Sequence, residues 1–479
     1  MRLGQTSVIY LISKVLASVV GFLATIYFTR FLGEEIYGYF ALTLALVSWL
    51  GIIKNIGFGS AIVKRMSEGE EPDAYLVAGI IIKSILTLII CTAIFAFRNP
   101  INEYIGQPVS EFVILLLVVS VLNNLVSSAL KGTHRVHIYA FLSPIKEISR
   151  GLIMAVLVFL GWGLAGMLVG HAIGTLVTIA VGFLIIRPNF TIPQWRHVTR
   201  LFDYGKYAWL GSMQKKTNSD MDIIVLGFFV SSGLTGIYAV SWTLAQFLDI
   251  FGDAIKNTLF PEMSKFDAEG DQSMVGTLTS DALAYAGLFL IPGAIGAAIL
   301  GDRLMRVYGP GFERGEAVLV ILILSLLSYT FAKQLLNTLN AIDRPDLAFR
   351  ANSIFILSNV ILNIILVWQI GWVGAAIATA SAATIGLIAS FYYAQQHVDF
   401  RFPFAEIGRQ TLAAGLMGIA VYGARTFGET HPIADHNTVF VVSLVGFGAA
   451  VYFIILIVLS SRLRTTINRN LPFTIPLLS

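Results

Sequence analysis

The chain has 479 residues, 56% of them hydrophobic and 13% charged, with a formal net charge of +4 and a mean hydropathy of +0.78. A soluble domain carries about 25% charged residues, so this composition excludes an ordinary globular protein and indicates a polytopic membrane protein. The single cysteine, Cys91, excludes an intrachain disulfide and a cysteine-based metal cluster.

Apolar runs of about 20 residues, the length of a spanning helix, recur from end to end. The opening MRLGQTSVIYLISK runs into a full-length span and does not read as a cleavable signal. The first six predicted spans cover 7–29, 37–61, 75–97, 111–131, 139–160 and 164–186. A polar linker with prolines and charges follows, RPNFTIPQWRHVTRLFDYGK. Six more spans are expected at 207–230, 235–260, 281–300, 317–341, 348–370 and 373–396, then a second linker, then two spans at 411–427 and 438–459. The expectation is an all-α membrane protein of about fourteen transmembrane helices, with an N-lobe at 1–200, a C-lobe at 201–400, and a C-terminal pair with a basic tail at 401–479.

Of the 32 lysines and arginines, seventeen fall in loops on the side of Arg2, Lys64, Arg135, Arg200 and Arg462, and six on the side of Arg30, Arg98 and Arg425. The richer side is expected to be cytoplasmic and to hold both termini. The loops 68–73 and 267–271 are acidic, and the sequence attaches no function to them.

Three short segments repeat in the same order. LKGTHRVHIYA matches LNAIDRPDLAF, GLAGMLVGHAIGTL matches GWVGAAIATASAAT, and YGYFALTLAL matches TGIYAVSWTL, with Gly38 opposite Gly236. Six spans per repeat preserve orientation, so the halves read as parallel repeats about an axis along the membrane normal.

The stretch SDMDIIVLGFFVSSGLTGIYAVSWTL, followed by a span ending FPEMSKF, resembles the second half of polysaccharide transporters of the multidrug/oligosaccharidyl-lipid/polysaccharide exporter superfamily. FTRFLGEEIYGYF and GWVGAAIATASA are similar to other parts of that family. The resemblance implies two pseudo-symmetric six-helix lobes in a V around a central cavity, plus two C-terminal helices. It also implies flipping of a polyprenyl-diphosphate-linked oligosaccharide from the cytoplasmic to the outer leaflet. The partners implied are that glycan and membrane lipids, with glycan polymerase and export machinery beyond, and no nucleic acid.

Nine bases and five acids fall inside the predicted spans. A charge at bilayer depth costs roughly 2.5–3.5 kcal/mol, so each needs water, a partner or a ligand. Lys14 lies on a polar stripe with Ser7, Tyr10, Ser18 and Thr25 and is placed on the cavity, against the alternative of snorkelling. Lys54 is open between the two readings; Lys83 is expected to snorkel. Lys146 and Arg150 share a face at i,i+4 and require an anion between them, whether phosphate, Glu147 or a lipid headgroup.

Lys215 lies on a stripe ending at Asp222, while Lys216 and Asp220 form a second, internal pair. Asp249, Asp253 and Lys256 share one helix face, with Asp253 able to pair with Lys256 and Asp222 the expected neighbour of Asp249. Lys333 aligns with Tyr329, Asn337 and Asn340, opposite Asn124 in the repeat. The phosphate-binding set is therefore Lys14, Lys54, Lys146, Arg150, Lys215, Lys256 and Lys333. Asp222, Asp249 and Asp253 are assigned to a coupling H+ or Na+, because close carboxylates in low dielectric cannot all ionise cheaply. Asn352, Asn359 and Asn363 read as interhelical hydrogen-bonding groups, and His171 as structural.

There is no GxxxxGK[ST] and no HExxH, which argues against ATP hydrolysis in the chain and against a zinc enzyme. No cofactor is expected. The alternatives are a multidrug/cation antiporter of the same plan and, less favoured, a membrane glycan polymerase or ligase.

Overall fold

The computed structural model describes the backbone of residues 3–55, 57–187, 189 and 191–470, and side chains over the same ranges apart from 3–15, 52–55, 206–219, 257, 466, 467, 469 and 470. Every regular element among the described residues is helical. The first half runs α1 (Leu3–Asn55), α2 (Phe58–Ser67), α3 (Pro72–Ala96), α4 (Arg98–Ile105), α5 (Ser110–Gly132), α6 (Val136–Phe159), α7 (Gly163–Ile186) and α8 (Trp195–Phe229). The second runs α9 (Ser232–Leu248), α10 (Ile250–Ala268), α11 (Gln272–Ala286), α12 (Leu290–Arg306), α13 (Glu316–Ala341), α14 (Pro345–Ile370), α15 (Trp372–Gln395), α16 (Phe404–Gly428), α17 (Asn437–Leu459) and α18 (Ser461–Asn470). Helices satisfy their backbone groups internally, which hydrocarbon demands of any spanning segment.

Among the described residues, nine helices are long and apolar enough to cross a membrane, and ten if α9 and α10 count as one bent span. The helices α6, α8 and α16 have spanning length but are more polar: α6 carries Lys146, Glu147 and Arg150, and α8 carries Asp220 and Asp222.

Three expected spans differ from straight helices. The loop expected between 29 and 37 shrinks to one non-helical residue, Gly33, at φ 81° and ψ 177°. The expected 37–61 span stops at Asn55 and restarts at Phe58 after Gly57, at φ 73°. A Cβ on Gly57 would stand 2.0 Å from the Gly205 carbonyl oxygen, so the break lets α8 approach the chain. The expected 235–260 span bends by 43° between α9 and α10, and the 281–300 span lies across the break between α11 and α12. At that second break, Gln410 Nε2 of α16 donates to the Ala284 carbonyl at 2.7 Å. A side chain from a neighbouring helix thus takes over an acceptor at a helix end, as an apolar medium requires.

The chain packs as two compact units, Met1–Ala239 and Val240–Ser479. The first has a core of Phe58, Ile62, Tyr75, Leu125 and Leu201 among α2, α3, α5 and α8. The second has one core of Leu283, Leu335, Ala351 and Phe400 and another of Leu300, Met417, Phe440 and Tyr452. The latter seats α16 and α17 on α12. Arg425 of α16 reinforces that seat with a bidentate pair to Asp302, both bonds 2.9 Å, and a third bond of 2.9 Å to Glu429.

The acidic turn before α3 has a structural task. Glu71 accepts two bonds from Arg196, at 2.8 and 2.9 Å, and one from His197 Nε2 at 2.6 Å. The Gln194 backbone N–H donates to His197 Nδ1 at 2.8 Å, so Nε2 is the nitrogen that donates to Glu71. These bonds fasten the start of α8 to the turn before α3. The hydrogen bond from His197 and the charges around it hold the Glu71 carboxyl below its ordinary range.

Candidate functional site

A tightly built polar cluster lies where α9 gives way to α10. Asp249 is the N-cap of α10, and Asp253 sits in its first turn. Carboxylates there meet the positive end of the helix backbone dipoles. Their base comes from α13. Lys333 Nζ lies 2.7 and 2.9 Å from the two oxygens of Asp249 and 3.1 Å from Asp253 Oδ1. Thr330, one helical turn before Lys333, donates to Asp249 Oδ1 at 2.6 Å.

The first two turns of α10 are bound by the same face of α13. Gln334 Nε2 donates to the Gly252 carbonyl at 3.0 Å, and Asn337 Nδ2 to the Lys256 carbonyl at 3.4 Å. Gly252 is required by this fit. A Cβ there would stand 2.6 Å from Asp249 Oδ1 and 2.7 Å from Thr330 Cγ2. The side chains of Lys333 and Asp249 are 11% and 16% exposed, whereas that of Asp253 is 44% exposed. The cluster is thus anchored at one carboxylate and open at the other.

The base at Asp249 comes from outside its own helix. Asp249 takes its base from α13, and its partners are Lys333 and Thr330; Asp222, in the first unit, accepts a hydrogen bond from Tyr238. Helix periodicity relates residues a few positions apart, and it carries no information about a partner on α13. The phosphate-directed Lys333 and the cation-directed Asp249 and Asp253, assigned separately from sequence, form one ion-paired group.

A second cluster lies on α6 in the first unit. Glu147 Oε1 stands 3.5 Å from Lys146 Nζ and 3.3 Å from Arg150 Nη1. Arg150 Nε donates to Thr175 Oγ1 of α7 at 2.8 Å. His171, one turn before Thr175, meets the Phe40 ring edge-on with centroids 6.1 Å apart.

Lys83 corrects a sequence expectation. It does not snorkel: it is 2% exposed and donates to Asn124 Oδ1 of α5. Asn124 is the position matched to Lys333 by the repeat, so both units place a polar bond there, with the base on α3 in one and on α13 in the other. Asp220 accepts from Ser48, and its expected pairing with Lys216 involves a side chain outside the described residues. Asn359 donates to Thr379 on the next helix at 3.1 Å, and Asn363 to Asn359 at 3.3 Å, which is the expected interhelical bonding.

The side chains of Lys14, Lys54, Lys215 and Lys216 lie outside the described residues. Among the described residues, no group of three or more His, Cys, Asp or Glu side chains is arranged to hold a metal ion.

Comparison with known proteins gives four findings. A family model described as polysaccharide biosynthesis protein matches residues 3–267. Over 475 residues the chain is 30% identical to the probable flippase AglR of Haloferax volcanii, covering 98% of each protein. It is 28% identical over 478 residues to the probable low-salt glycan biosynthesis flippase Agl15 of the same organism, covering 100% of each. Among solved structures, the lipid II flippase MurJ in its inward closed conformation superposes with a TM-score of 0.79 at 18% identity, covering 97% of this chain and 99% of that one. At that identity the likeness speaks for the fold alone.

Proposed function

The chain belongs to the polysaccharide biosynthesis protein family, and from that premise we propose that it is a flippase for lipid-linked glycans. The observation that carries this reading is the end-to-end similarity to two proteins named as flippases, one of them for glycan biosynthesis. Charged clusters inside helices of spanning length support it, because a phosphate-linked glycan needs a wet and mainly basic path.

In this reading the substrate is a polyprenyl-diphosphate-linked oligosaccharide, moved from the cytoplasmic to the outer leaflet of the cell membrane. Fourteen spans form two six-helix lobes in a V plus a C-terminal pair, with both termini cytoplasmic. The headgroup enters between the lobes while the lipid tail stays in the bilayer. Lys146, Arg150 and Lys333 meet phosphate, together with Lys14, Lys54, Lys215 and Lys256. Lysine serves as a point charge that does not demand one fixed geometry, which suits a site that must also release. A coupling H+ or Na+ is assigned to Asp249 and Asp253, with Asp222 as a third acid. Its binding biases one state of the alternating cycle through different affinities in the two states. Glycan polymerase and export machinery take the product onward.

The test is reconstitution in liposomes with a fluorescent polyprenyl-diphosphate oligosaccharide, read by a glycan-binding lectin outside, with imposed proton or sodium gradients. Protein-dependent appearance of the glycan outside supports the proposal. Its failure with this substrate and with the monophosphate analogue contradicts it.

A further inference from the structure

We propose that Glu147 is a built-in stand-in for a lipid-borne phosphate: its carboxylate occupies the place between Lys146 and Arg150 that the phosphate takes over on binding. This rests on the reading of the chain as a lipid-linked glycan flippase.

Three observations carry it. First, one oxygen of Glu147 serves both cations, at 3.5 Å to Lys146 Nζ and 3.3 Å to Arg150 Nη1. Charge-assisted bonds close to about 2.7–2.9 Å when a pair is built to stay. This protein makes such pairs elsewhere, at 2.9 Å between Arg425 and Asp302 and 2.9 Å between Arg425 and Glu429. The Glu147 contacts are looser.

Second, Arg150 is positioned independently of Glu147. Its Nε donates to Thr175 Oγ1 at 2.8 Å, and that hydroxyl donates in turn to the His171 carbonyl at 2.7 Å. The guanidinium therefore keeps its place when Glu147 leaves.

Third, the cluster is reachable. The side chains of Lys146, Glu147 and Arg150 are 24%, 31% and 19% exposed. A pair locked in the core would be sealed.

The physical logic follows from charge. Lys146 and Arg150 repel at i,i+4 unless an anion lies between them. Glu147 relieves that repulsion in the resting protein. A phosphate brings more acceptor oxygens and meets both the fork of Arg150 and the point charge of Lys146. Displacing Glu147 weakens net binding, and its return favours release. The phosphate of a lipid-linked glycan and that of a phospholipid headgroup share this chemistry.

The full-length protein in phosphatidylcholine nanodiscs tests the assignment, with farnesyl diphosphate, farnesyl phosphate and phosphatidylglycerol as separate probes. Glu147→Gln is expected to bind farnesyl diphosphate about tenfold tighter. Glu147→Asp keeps the charge and is expected to bind like the parent, while Lys146→Met and Arg150→Met bind more weakly. A larger gain for the farnesyl probes than for phosphatidylglycerol assigns the site to the substrate phosphate; an equal gain assigns it to phosphates in general.

Unchanged or weaker binding by Glu147→Gln, with a melting temperature like the parent's, overturns the stand-in role. If flipping persists in that variant, the flippase reading survives this failure. If Lys146→Met and Arg150→Met also leave binding unchanged, phosphate does not use this cluster and the proposal falls.

Discussion

Gly38 and Gly236, which hold the same register in the two sequence repeats, pack against each other. A Cβ on Gly38 would stand 1.8 Å from the Ser232 carbonyl oxygen and 3.1 Å from the Gly236 nitrogen. A Cβ on Gly236 would stand 2.1 Å from the Glu34 carbonyl oxygen and 2.9 Å from the Gly38 nitrogen. The second part of α1 and the start of α9 therefore cross with their backbones touching, the close approach that small residues allow in membrane helices. Overpacking usually costs about 1–3 kcal/mol when side chains can shift. Here the obstacles are backbone atoms, so Gly38→Ala and Gly236→Ala are each expected to lower the melting temperature in detergent and reduce the folded yield. An unchanged melting temperature in both would contradict the crossing.

The ion pair on the broken helix gives a second prediction. Removing one partner of a largely buried pair strands the other and costs about 3–5 kcal/mol. Lys333→Met leaves Asp249 and Asp253 without their shared base, so it should be the most damaging single change in the cluster. Adding Asp249→Asn to Lys333→Met removes one stranded charge and should restore part of the lost stability. A double-mutant cycle read by chemical unfolding checks this; simple additivity would mean that the two residues do not interact.

Gly252→Ala tests the same fit sterically. The new methyl is aimed at Asp249 Oδ1 and Thr330 Cγ2. It should lower both stability and transport without altering any charge. Transport at the parent's level would show that the Asp249–Thr330 bond is dispensable.

The linker latch predicts a pH dependence. Glu71 is held below the ordinary glutamate value of 4.5, first by the hydrogen bond from His197. A carboxyl with a lowered folded-state value stabilises fully above its ordinary value, and that contribution is lost as pH falls through the lowered one. Amide protection at 195–200, taken relative to the intrinsic exchange rate at each pH, should therefore be high at neutral pH and fall only below about 4.5, where protonation begins. In Glu71→Gln the exchange should be faster at neutral pH and lose this acid step. An acid step that persists in Glu71→Gln would assign it to another group.

The all-helical membrane character was legible in the sequence, because hydropathy is a local property. The register match of Gly38 and Gly236 was legible too, though not their contact. The partners of the charges were not. Asp249 and Lys333 lie far apart in the chain, and nothing within one turn of either names the other. Lys83 read as a snorkelling lysine because its bond to Asn124 comes from another helix. The break at Asp249 was hidden for a related reason: its flanks are apolar, and the groups that bind the start of α10, Gln334 and Asn337, are on α13. The acidic turn at Glu71 carried no motif, since its meaning depends on Arg196 and His197 across the linker.

The most direct test is flipping itself, measured in sealed liposomes holding the purified protein and a labelled polyprenyl-diphosphate oligosaccharide. The account predicts protein-dependent delivery of the glycan to the opposite leaflet, strongly reduced in Lys146→Met/Arg150→Met. Equal delivery by protein-free liposomes, or full delivery by that double variant, would contradict it.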